Sequence, residues 1–187
     1  MTDEEIFAAL DRFYEKIPKI KCQGTCWNSC GPIDMSDAEW RRVNSQSTTI
    51  QIEPFTSERA QRWARDEPLH CAALSAFGTC KIYDVRPTIC RLWGVTESMP
   101  CPQGCPIEGR RKRLTDQEGF ELLMESMEIG GGDYAGKSKQ LREVFTDPSV
   151  QAVYSKWIQG DRSVERELIR AIDATNRRLG YGTEARS

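Results

Sequence analysis

All eight cysteines of the chain lie between Cys22 and Cys105, and the last 82 residues hold none. They come in three groups. Cys22, Cys26 and Cys30 sit in CQGTCWNSC, Cys71, Cys80 and Cys90 in CAALSAFGTCKIYDVRPTIC, and Cys101 and Cys105 in CPQGC. A chain of 187 residues can bury a true hydrophobic core, so the cysteines are not needed to staple a small scaffold. The N-terminus, MTDEEIFAALDRFYEKI, is acidic and amphipathic and lacks the basic start and apolar core of a secretory signal. No apolar run approaches the roughly 20 residues that span a bilayer. The expectation is a cytoplasmic protein, where thiols stay reduced. Clustered cysteines there read as metal ligands or redox groups before disulfides. An oxidised eight-cysteine scaffold is the alternative.

Around the cysteines the chain reads as short elements. Thr2-x-x-Glu5, Ser36-x-x-Glu39 and Thr115-x-x-Glu118 are capping boxes, each placed to start a helix. The first carries Ile6, Leu10, Phe13 and Ile17 at helical spacing up to Pro18, and the second Ala38, Trp40 and Val43. Thr48–Glu53 alternates as a strand would, and Ser57–Asp66 reads as an arginine-rich helix. Cys71–Leu74 and Cys80–Tyr83 are expected as two short strands joined by a turn with Gly78. Pro87 suits the start of a short helix carrying Ile89, Cys90 and Leu92. From Thr115 onward the pattern is helical, broken at Gly130-Gly131-Gly132 and restarted at Asp147-Pro148 and Asp161.

Thiolates are soft, charged ligands suited to zinc or to iron in sulfur cages. A structural zinc or a [4Fe-4S] cluster each takes four. Eight cysteines can fill two such sites, or one with spares. C-x3-C-x3-C on Gly- and Asn-bearing chain suggests a ligand-wrapping loop rather than a straight helix, which would leave Cys22 and Cys30 about two turns apart. The spacings match neither paired C-x2-C zinc knuckles nor the bacterial ferredoxin run. His70 is the single histidine, and as a strand neighbour of Cys71 it would face the other way, so a structural or surface role is expected. Cys-His hydrolysis would leave seven cysteines unexplained. Trp27 and Trp93 are expected as core or site walls, and Tyr83 as core packing with a hydrogen-bonded hydroxyl. The net charge of −2 gives no global field for nucleic acid, and Arg110-Arg111-Lys112-Arg113 reads as a solvated run.

The segment C-x8-C-K-I-Y-D-V-R-P-T-I-C-R-L-W resembles the signature of the YkgJ-type cysteine-cluster family, also called the zinc- or iron-chelating CxxCxxCC domain. Cys80, Ile82, Tyr83, Arg86, Pro87, Cys90 and Arg91 match it position by position. Cys71 stands for the cysteine of the family's C-P-F-L segment, and Cys101 and Cys105 resemble its trailing Cys-Pro region. The opening group differs: C-x3-C-x3-C stands where the family has C-x2-C-x2-C-C. The resemblance spans about Lys21 to Pro106 and implies a metal, but no substrate; relatives include flagellin lysine N-methylases. Beside that motif, Arg86 and Arg91 could offset the net charge of about −2 on a four-thiolate centre and donate to its sulfurs. Alternatively, Arg86 pairs with Asp84 or Glu97 and fixes the turn.

The expected fold is α+β, mostly helical, with a cysteine-rich metal-binding core of short strands covered by C-terminal helices. Residues 1–110 would form the cysteine-cluster region with its N-terminal helix, and 111–187 a helical cover packed on it as one domain. The expected metal ligands are Cys22, Cys26, Cys30, Cys71, Cys80, Cys90, Cys101 and Cys105, with Arg86 and Arg91 beside the cofactor. The expected cofactor is an iron–sulfur cluster, [4Fe-4S], one or two, serving redox or enzymatic chemistry on an unknown substrate or partner. Eight thiols with one histidine, the two Cys-Pro steps and the nearby arginines favour iron. The alternative is a zinc-binding module whose metal holds the fold for partner binding. No membrane or nucleic-acid partner is expected.

Overall fold

Helix α1, Asp3–Tyr14, starts where its capping box predicts: the Thr2 hydroxyl accepts from the Glu5 amide, and the Glu5 carboxylate accepts from the Thr2 amide. A computed structural model of the chain describes residues 1–24, 26–27, 30–31, 33, 35–46, 70–109, 112–131, 133–158 and 161–181. Ile6, Leu10 and Phe13 form the buried face of α1. Full burial of side chains such as Ile6 and Leu10 stabilises by roughly 1.5–3 kcal/mol each. Helix α2, Asp37–Gln46, follows the second capping box, with Glu39 and Ser36 exchanging hydrogen bonds. The strand and helix expected at 48–53 and 57–66 lie outside the described residues.

The expected strands at 71–74 and 80–83 are replaced by a single antiparallel bridge between Leu74 and Cys80. Tyr83–Val85 winds into a 3-10 turn instead. Beside that bridge the Ser75 amide donates to the Thr79 carbonyl at 2.8 Å and the Lys81 amide to the Ala73 carbonyl at 2.9 Å. The turn that follows is braced by Arg91, whose guanidinium donates to the carbonyls of Asp84 and Arg86, both at 2.7 Å. Among the described residues β-pairing occurs as isolated bridges, and the described chain is mostly helical.

Pro87 caps helix α3, Thr88–Leu92, which carries Cys90. The loop after it meets helix α4, Asp116–Glu128, started by the third capping box. Leu92, Val95 and Leu114 join the α1 residues and Ala38 in one buried cluster. A second cluster, Met35, Val43, Ala73, Ile82 and Val85, has Cys71 and Cys80 packed against it.

The described chain divides into two compact units, Met1–Gly131 and Gly132–Ser187. Helix α4 therefore belongs with the cysteines. The second unit holds α5, Asp133–Phe145, α6, Pro148–Ile158, a 3-10 turn at Arg162–Val164, and α7, Glu165–Arg178. Val144, Val150, Val153, Val164 and Leu168 form its core. Among the described residues no helix is long and apolar enough to cross a membrane.

Candidate metal centre

The first cysteine group lies on a loop, as the Gly and Asn content predicts. Gly24 takes a φ of 69°, and its amide points at the Cys22 sulfur at 3.3 Å. The Cys30 amide donates to the Trp27 carbonyl at 3.0 Å, closing a tight turn. Trp27 then packs on the Ser75–Thr79 turn at Gly78, where a Cβ would lie 2.8 Å from the indole. The Cys71 amide donates to the Cys30 carbonyl at 3.1 Å, fixing the loop to the central segment.

The last cysteine pair returns to the start of that loop. Residues 19–21 lie antiparallel to 106–108: Lys21 donates to Pro106 at 3.0 Å, Glu108 to Lys19 at 2.8 Å, and Ile20 bridges Ile107. Gly104 donates to the Cys101 carbonyl at 3.0 Å, folding Cys105 back beside Cys101. Both of these cysteines are buried, whereas the other six are half-buried.

Six of the eight cysteines, Cys22, Cys26, Cys30, Cys71, Cys80 and Cys90, line one cavity of about 630 Å³. Trp27, Trp93 and Tyr83 stand in its wall, with Arg86 as the one charged side chain there among the described residues. Trp27 and Trp93 are site walls, as expected. Tyr83 is not core packing: it is 40 % exposed and stacked under the Arg86 guanidinium, 3.6 Å from its ring centre. Arg86 also donates to the Tyr83 carbonyl at 2.9 Å.

Arg91 is placed differently. Besides its two carbonyl acceptors, its guanidinium lies 4.0 Å from the Tyr14 ring centre. It fixes the turn before α3, while Arg86 faces the thiols. His70 is exposed.

The thiols act on one another electrostatically. Burial pushes the Cys30 thiol up, and the charges of Cys71, Cys26 and Cys80 add to this while Arg86 opposes it. Burial likewise raises Cys90, with Cys71, Cys80 and Cys30 adding and Arg86 opposing. Cys26 is raised by burial and by Cys22, Cys101 and Cys105. Burial also acts on Cys101, but amide donors from Cys105 and Gln103, the Cys105 thiol and the charge of Arg113 outweigh it, so that thiol is lowered. The Gln23 amide favours the Cys105 thiolate, yet burial and the neighbours Cys101 and Cys22 raise it on balance. Uncompensated thiolates are costly in this setting, and a bound cation would relieve that cost.

All eight cysteines are free thiols. Among the described residues no three cysteine, histidine, aspartate or glutamate side chains stand ready as the ligand set of a metal ion. The donors still fit a thiolate-bound metal in number and type.

No protein-family model matches the chain, nor does any curated protein or solved structure.

Two contributors escaped the sequence reading. Arg113 sits in a run that reads as solvated, although its charge reaches Cys101. Glu39 reads as a capping residue only, yet it also holds the start of α3, accepting from the Thr88 amide.

Proposed function

We propose that this is a metal-binding protein of the YkgJ type whose cysteines hold iron–sulfur cofactor, with [4Fe-4S] the form that four thiolates suit. The observation that carries this is the convergence of six free thiols, from two separate stretches of chain, on one cavity. Free thiols gathered from distant segments must be held against their mutual repulsion once ionised, and a cationic centre does that. A four-iron cluster attaches each thiolate to a different iron, so its ligands need not close round a single ion.

Arg86 supports the reading from the protein side, because a guanidinium beside Cys30 and Cys90 offsets the negative charge of a thiolate-held centre. When bound, such a cluster supplies one-electron redox chemistry. The chain's own residues would hold it, wall it off with Trp27 and Trp93, and set its charge balance.

Protein purified without oxygen tests this. It should be brown, with broad visible absorption that bleaches on reduction. A colourless protein with stoichiometric zinc would overturn the iron reading in favour of a zinc module.

A further inference from the structure

The backbone brings the cysteines together in two places rather than one. The pairing of 19–21 with 106–108 sets Cys22 near Cys105, and the Gly104 turn adds Cys101. Elsewhere, the Cys71 amide reaches the Cys30 carbonyl, the Leu74–Cys80 bridge folds Cys80 back towards Cys71, and α3 delivers Cys90. Cys101 and Cys105 lie outside the cavity, while Cys22 and Cys26 share its wall with Cys30, Cys71, Cys80 and Cys90.

We infer that the eight thiols form two separate four-thiolate sites, one of Cys22, Cys26, Cys101 and Cys105 and the other of Cys30, Cys71, Cys80 and Cys90. This rests on the metal reading above and adds the membership and the number of centres. Cys26 and Cys30 share one loop and lie on opposite sides of the division. The neighbours that act on Cys26 are Cys22, Cys101 and Cys105, while Cys71 leads those that act on Cys30 and Cys90; Cys26 also acts on Cys30 across the division.

Arg86 lines the cavity with Cys30, Cys71, Cys80 and Cys90. A four-thiolate zinc or an oxidised four-iron cluster carries a net charge of about −2, which a guanidinium there would offset. On loading, every ligand thiol gives its proton to solvent.

Native mass spectrometry of the full chain, purified without oxygen, counts the centres without any substitution. Two per chain is the expected result, and one per chain overturns the division. Cysteine variants then test membership by metal content, with far-UV circular dichroism confirming that the helices persist. Cys101→Ser and Cys80→Ser should each lose about half the metal. Cys101→Ser with Cys105→Ser should lose no more than Cys101→Ser alone, whereas Cys101→Ser with Cys80→Ser should lose all. Complete loss in folded Cys101→Ser protein, or full retention in it, overturns the assignment. Where a variant does not fold, the wild-type count decides. A wild-type chain with no metal at all defeats the underlying metal reading instead.

Discussion

One carboxylate oxygen of Glu39 lies 2.6 Å from the amide nitrogen of Thr88 and 2.6 Å from its hydroxyl. All three groups are buried. The same oxygen accepts from the Tyr14 hydroxyl at 3.1 Å, and the other accepts from the Ser36 amide at 3.2 Å. Helices α1 and α2 thus hold the first turn of the helix that carries Cys90.

Glu39→Ala should leave several buried donors without a partner. Hydrogen bonds to a charged group contribute about 1.5–3 kcal/mol each, and breaking a buried network costs about 3–5 kcal/mol in total. Thermal unfolding should shift down by roughly 6–20 °C. A shift within about 2 °C would mean that water satisfies these donors and that Glu39 is not holding α3.

Gly78→Ala tests the contact between the first cysteine loop and the central turn. Gly78 has a φ of 75°, and an added Cβ would stand 2.8 Å from the Trp27 ring. The backbone term alone costs about 1–2 kcal/mol. Displacing Trp27 should also disturb the loop with Cys26 and Cys30, so metal retention should fall together with thermal stability. Normal metal content and an unchanged melting temperature would contradict the packing described.

Arg86 and Arg91 should separate in a redox titration. Arg86 faces Cys30 and Cys90, and a positive charge there favours the reduced, more negative centre. Arg86→Gln should lower a reduction potential by on the order of 50 mV, close to a tenfold change for one electron. Arg91→Gln should shift potential less and cost stability, because its donors serve the Asp84 and Arg86 carbonyls. Equal potential shifts would remove the distinction.

The second unit offers a pH test independent of the thiols. Hydrogen bonds from Ser149 and the ion pair with Arg178 hold the Asp147 carboxyl at about 2, below its ordinary 3.8. A carboxyl depressed on folding stabilises above its unfolded value, and that contribution fades as pH falls through the folded one. Wild type should melt above Asp147→Asn by a constant margin above about pH 5, and the margin should close towards pH 2. A margin that stays constant down to pH 2 would contradict the described environment of Asp147.

Local rules made much of the helical skeleton legible. Thr2, Ser36 and Thr115 each cap a helix with the glutamate three residues on, because a capping box is written in adjacent residues. Longer-range groups were harder to read. The Cys71–Leu74 and Cys80–Tyr83 segments look like strands, but they pair through a single bridge before Tyr83–Val85 winds into a 3-10 turn. Glu39 gives no sign in the sequence that it will meet Thr88, 49 residues away. Arg113 was hidden in a basic run, while Arg91, next to Cys90, drew attention that belongs to the turn it fixes. The convergence of Cys22 with Cys105 depends on the pairing of Ile20 with Ile107, which no local pattern announces.

Iron, acid-labile sulfide and zinc measured per chain on anaerobically purified protein, with electron paramagnetic resonance on the dithionite-reduced sample, bear on the central claim most directly. Iron and sulfide in equal amounts, with a signal from a reduced cluster and negligible zinc, is the predicted result. Metal-free protein with its cysteines joined in disulfides, or zinc in place of iron, would contradict it.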